Sequence, residues 1–187
     1  MGRLDGFTML ELLIALLIIG VLLGVALPDF EQTISQKRSE QTLKTLTQTI
    51  EFARIAAITS SSTVTLCKSS DGEACGGEWN NGVLVFTDSN RNRSIDDEDE
   101  LLRYVSFHFA RGQLRWRAFQ NKPYLQMTSQ GFTYYQNGNF TYCPNGNDPE
   151  SIHQIIVNRL GRIRWATDSD GDGIREDSRG RPLNCDS

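Results

Sequence analysis

Nineteen residues near the N-terminus, Met9 to Leu27, carry a single charge, Glu11. A run of that length makes a helix able to cross a bilayer, because about 20 residues at ~1.5 Å rise span the ~30 Å hydrocarbon core. A cleavable secretory signal would show several basic residues, a shorter apolar run and an A-x-A end. Here the basic flank is Arg3 alone, and the run closes on Ala26-Leu27-Pro28-Asp29. The segment therefore reads as an anchor, and the remainder of the 187-residue chain is more polar than its 39% apolar average suggests. Glu11 is the exception inside the run. A carboxylate in lipid is costly unless it finds a partner, which marks Glu11 as functional.

Beyond Pro28 the pattern becomes amphipathic. Leu43, Leu46, Ile50, Ala53 and Ala57 step by three and four along one helical face, while Lys37, Arg38, Glu40 and Lys44 fall elsewhere. A proline inside a helix removes one hydrogen bond and crowds the preceding turn, so Pro28 is expected to kink the helix rather than end it. One element over residues 7–59 follows, with 7–27 in membrane or filament core and 28–59 amphipathic, about 80 Å long in all. From Ser60 onward the period is two. Short strands are expected at 63–67, 83–87, 101–109, 113–119, 132–135, 140–143, 152–158 and 162–166, separated by Gly, Asn and Asp clusters. The expected class is α+β: a long N-terminal helix packed on an all-β head of residues 60–187.

Gly6-Phe7-Thr8-Met9-Leu10-Glu11 followed by the apolar run resembles the type IV prepilin signature. That resemblance implies a leader of residues 1–6, removed by a prepilin peptidase between Gly6 and Phe7, and methylation of the new N-terminal residue. It also implies that Glu11, fifth in the mature chain, pairs with the amino terminus of a neighbouring pilin during assembly, which would offset its desolvation. Asp5 departs from the pattern. The implied location is the bacterial inner membrane, single-pass with a periplasmic head, and then the pilus. In an exported head the four cysteines are expected to be oxidised; of three possible pairings, Cys67 with Cys75 and Cys143 with Cys185 are favoured. No C-x-x-C spacing supports a zinc site. The arrangement Cys67, Cys75, Trp79, Gly82, then Val83 to Asp88 and Leu101-Leu102-Arg103, looks like the head of the FimT/GspH family of minor pilins and pseudopilins. That family implies a long helix on a two-sheet β domain.

No enzyme is expected. His108 and His153 lie in or beside alternating strands, and no Walker, H-E-x-x-H or G-x-S-x-G motif is present. No cofactor or metal is expected either. Asp168, Asp170, Asp172 and Gly173 match the first half of a calcium loop, but Arg179 stands where a closing glutamate belongs. Asp88, Asn90, Asn92, Ser94, Asp96 and Asp99 form a second partial match with Arg93 in the glycine position. Both read as solvated turns.

The informative stretch is Asn158-Arg159-Leu160-Gly161-Arg162-Ile163-Arg164-Trp165. In a strand Arg162 and Arg164 share a face, and Gly161 suits a tight turn before them. Arginine donates two hydrogen bonds at once to phosphate. Salt bridges to nearby aspartates are the plain alternative. Gly161-Arg162-Ile163-Arg164 is similar to a G-R-x-R motif in FimT proteins, which bind DNA during natural transformation, and this implies a sequence-independent grip on the DNA backbone. Arg159, Arg175, Arg179 and Arg181 are secondary candidates, with stacking by Trp165 or Tyr134-Tyr135 as an addition. A structural minor pilin, or a type II secretion pseudopilin, that primes or caps a filament without binding DNA is the alternative. The net charge of −4 argues against coating nucleic acid by bulk charge but says little about a local patch of the 15 arginines.

Overall fold

The computed structural model describes residues 8–107, 112–145 and 148–185, with the side chains of 23–32 left aside. Helix α1 runs Met9–Thr59 without interruption at Pro28, 51 residues and so about 77 Å long. Thr8 caps it, its Oγ1 accepting the Glu11 amide at 3.3 Å. The first buried side chain among those described on α1 is Ser39, and the stripe Leu43, Leu46, Ile50, Ala53 and Ala57 is fully buried. Every described side chain of Met9–Leu22 is exposed and adds nothing to the core of the head. A head beginning at Ser35 thus keeps every buried side chain among the described residues.

Eight strands follow in two antiparallel sheets of four. Strands β1 (Val64–Lys68), β2 (Gly82–Thr87), β3 (Leu101–Ser106) and β5 (Tyr124–Met127) form one in the order β3-β2-β1-β5; β4 (Gln113–Ala118), β6 (Gly138–Cys143), β7 (His153–Val157) and β8 (Ile163–Trp165) form the other in the order β4-β6-β7-β8. The lower half of α1 packs on both. Val64, Leu66, Val83, Val85, Leu125 and Met127 of the first sheet meet Leu114, Phe140, Tyr142, Ile155 and Val157 of the second in one core with the helix stripe. Trp116 stacks on Phe140 at 4.3 Å, and Trp79 meets the same ring edge-on at 5.0 Å.

The expected strand at 132–135 is not one. Thr133 makes a single bridge to Met127, and Tyr135 turns to φ +65°, which breaks the two-residue alternation a strand needs. The strand in this region is β5, which pairs with β1 from Val64↔Met127 to Cys67↔Tyr124. Cys67 is bonded to Cys75 and Cys143 to Cys185, with Cα separations of 5.6 and 5.8 Å.

Candidate nucleic-acid interface

Strand β8 is the edge of the second sheet, and the turn that feeds it is built from its own sequence. Asn158 Oδ1 accepts the amides of Leu160 and Arg162 at 2.9 and 3.0 Å, while its own N–H donates to the Arg162 carbonyl at 3.0 Å. Gly161 sits at φ +70°, and a Cβ there would lie 2.4 Å from the Gly131 carbonyl oxygen. The same carbonyl accepts Arg54 Nε at 2.9 Å. Only glycine fits that corner. Beyond it Ile163 and Trp165 pack against the core, and Arg162 and Arg164 stand exposed between them. Trp165 is therefore a packing residue, not a stacking platform.

The second sheet places more arginine on the face that Arg164 occupies. Arg164 pairs with Ile156, Ile156 with Asn139 and Asn139 with Arg117, a row of four strands in register. Three strand spacings put Arg117 about 14 Å from Arg164 along the backbone row. In the next row Arg115 pairs with Thr141 and Thr141 with Gln154. The tail folds over this face and, with the Cys143–Cys185 bridge, closes a cleft of about 480 Å³. Arg115, Arg117, Thr141 and Gln154 line it from the sheet, Arg179 and Arg181 from the tail, and Asp177 is its only acid among the described residues. Arg115 donates to the Cys185 carbonyl and, through Nε, to Gln113 Oε1 at 2.9 Å. Arg181 is held by Asp177 at 2.7 Å, whereas Arg117 and Arg179 have no side-chain partner among the described residues.

The six sequence candidates do not form one patch. Arg162 and Arg164 lie at β8, while Arg179 and Arg181 lie over the cleft. Arg175 is tied to the Glu150 carbonyl at 2.8 Å. Arg159 lies over the Tyr135 ring at 4.9 Å, and Tyr135 meets Tyr134 edge-on at 5.6 Å, with Arg91 donating to the Tyr134 hydroxyl at 2.7 Å. Sequence reasoning missed Arg115 and Arg117. The signal was available, since Arg115-Trp116-Arg117 repeats the R-x-R alternation of Arg162-Ile163-Arg164 around an inward aromatic or aliphatic residue.

The tail loop also holds more than its first-half motif. Glu176, not position 179, brings the fourth carboxylate, and oxygens of Asp168, Asp170, Asp172 and Glu176 lie within 4.8 Å of one another. Such an all-oxygen donor set suits a hard cation. The backbone amides of Gly171 and Gly173 hold the Asp168 carboxyl below its usual range.

Gly6 and Phe7 fall outside the described residues, as does His108. Glu11 is exposed in the first turn of α1. Among the described residues no helix is long and apolar enough to cross a membrane; residues 23–27 of the apolar run are among those whose side chains are left aside.

A capped N-terminal helix that lends its distal half to a two-sheet β head is the architecture of type IV pilin-like subunits. Residues 42–161 match the family described as Type II transport protein GspH, and residues 3–27 match the Prokaryotic N-terminal methylation motif. The chain belongs to the GspH family, whose members are minor pilins and pseudopilins. It is 36% identical over 118 residues to the pilin-like protein PilA1 of Thermus thermophilus, covering 63% of this chain and 67% of that one. Its fold is similar to the type IV minor pilin FimU of Pseudomonas aeruginosa, with a TM-score of 0.56 at 16% identity over 70% of this chain and 90% of the other. The minor pseudopilin EpsH of the Vibrio cholerae type 2 secretion system aligns with a TM-score of 0.50 at 13% identity, over 71% and 98%.

Proposed function

We propose that this minor pilin captures DNA by its phosphate backbone, without sequence preference, for uptake in natural transformation. In this reading a prepilin peptidase removes residues 1–6, Phe7 is methylated, and the helix holds the subunit in the inner membrane with a periplasmic head. Glu11 then docks it among other pilins in the pilus. The observation that carries the DNA reading is the pair of outward R-x-R strands, Arg115/Arg117 and Arg162/Arg164, on one sheet whose cleft holds four arginines against one acid among the described residues. Guanidinium groups held that close repel one another, and phosphate oxygens relieve the repulsion with bidentate hydrogen bonds.

Fluorescence anisotropy of residues 35–187 with unrelated labelled duplexes across a salt series tests it. Binding is expected to be equal across sequences, with log affinity falling by about 0.9 per neutralised phosphate against log salt. Arg162→Gln/Arg164→Gln is expected to weaken it by about tenfold or more and flatten the slope by about 2. Affinity retained in that variant removes the β8 assignment. No binding at low salt favours the second reading, a filament-priming or capping subunit of a pilus or type II secretion pseudopilus, which the GspH family match itself supports.

A further inference from the structure

The β2–β3 hairpin loop and the tail loop are built on one plan. Asp88, Asn90, Asn92 and Asp96 stand at the same spacing as Asp168, Asp170, Asp172 and Glu176. In each, the first carboxylate accepts the amide five residues on: Arg93 N–H at 3.3 Å to Asp88, and Gly173 N–H at 2.9 Å to Asp168. The third-position side chain accepts the fifth residue's amide (3.0 and 3.2 Å), and the fifth-position side chain accepts the seventh's (2.7 Å in both). Arg91 and Arg93 take φ of +61° and +67°, the left-handed conformation that Gly171 and Gly173 adopt in the tail.

A second, independent observation belongs to the hairpin loop alone. Asp88 is 0% exposed and has no salt bridge among the described residues. Its Oδ2 accepts Thr65 Oγ1 at 2.5 Å, Gln126 Nε2 at 3.0 Å and the Arg93 amide, the last of which ties the carboxylate to the loop. Its Oδ1 is buried with no hydrogen-bond partner. A buried carboxylate oxygen left unmatched costs more than any hydrogen bond its twin makes. Within the same loop Asp99 accepts the Asp96 amide at 3.3 Å. Arg91 lies over Tyr134 at 5.0 Å, and Arg93 lies over Tyr124 at 5.2 Å while its Nε donates to the Asn92 carbonyl at 3.3 Å.

We infer that the hairpin loop binds a hard divalent cation of calcium's size, with Asp88 Oδ1 as its anchoring ligand and Asn90, Asn92 and Asp96 completing the oxygen set. Two aspartates and two amides form a weakly charged cage, so the affinity belongs to the range of extracellular calcium modules, about 0.1–1 mM. In the cation-bound loop the amides of Asn90 and Asn92, which now donate to Asp96 Oδ2 at 2.8 and 3.0 Å, turn their oxygens inward.

The test uses the full chain in detergent micelles, stripped of divalent ions, in an Asp170→Ala/Asp172→Ala background that removes two of the four carboxylates of the tail loop. Calcium chloride is titrated by calorimetry and by thermal melts, with sodium chloride at matched ionic strength as control. The inference expects one binding event and a Tm rise of about 3 °C at about 10 mM calcium. Adding Asp96→Asn, which keeps an acceptor oxygen for its neighbours, is expected to weaken calcium about tenfold or more while the Tm in chelator stays within about 2 °C. Asn90→Ala serves if Asp96→Asn fails to fold. No calcium-specific heat or Tm rise overturns the inference, as does a calcium response unchanged by these substitutions.

Discussion

Gly161 and His153 are where single side chains decide most. Gly161 holds the corner that turns the chain into β8, and a methyl group there meets a backbone oxygen that cannot move without breaking the Arg54 contact. Gly161→Ala is expected to cost about 1–3 kcal/mol, read as a lower urea midpoint at unchanged m-value, and, if β8 grips DNA as proposed, to weaken that grip by displacing Arg162. His153 is buried in β7, its Nδ1 3.1 Å from the Ser151 carbonyl. Burial lowers its pKa below 6.5, with Arg175 and Lys37 adding to the fall and Ser151 and Glu40 opposing it. The unfolded chain therefore takes up this proton first as pH falls, so stability is full above about 6.5 and declines below it. Melts across pH 5–7.5 are expected to show that decline, and His153→Gln is expected to flatten it. Site chemistry at this scale was partly legible. The β8 arginines stood out because Gly161 announced a turn, whereas Arg115 and Arg117 lay in a strand with no such punctuation, and Glu176 hid behind the expectation that a calcium loop closes three residues later.

At the scale of elements, period carried the reading. The three-and-four stripe of α1 is fully buried as its spacing requires, and seven of the eight strands overlap the alternating segments. The strand that was misplaced, β5, has the sequence Tyr124-Leu125-Gln126-Met127, in which Leu125, Gln126 and Met127 are all buried. Gln126 is inside because its amide bonds Thr65 and Asp88, a tertiary reason that no local pattern shows. Among connections, the Cys143–Cys185 bridge matters most because it fastens the tail over the arginine cleft. The bridged cysteines are 42 residues apart, so replacing both with serine is expected to cost about 3–4 kcal/mol. If the cleft takes phosphate, the same variant is expected to lose DNA affinity at temperatures where circular dichroism still reports a folded head.

For the whole molecule, the division of labour follows from where burial begins. Since no described side chain of α1 before Ser39 is buried in the core, residues 35–187 are expected to melt within about 3 °C of the full chain in micelles. A larger fall would mean that the exposed apolar half supports the head. The net charge of −4 hides the partition of charge between an arginine cleft and two acidic loops. The tail bridge also sets how the head carries force. A pull on anything gripped by Arg179 or Arg181 divides between the backbone leading back to β8 and Cys185, which passes its share into Cys143 at the end of β6, a strand with β4 on one side and β7 on the other. Tension then enters the sheet covalently at an interior strand, where the ladders on both flanks resist together, instead of peeling the tail away one hydrogen bond at a time.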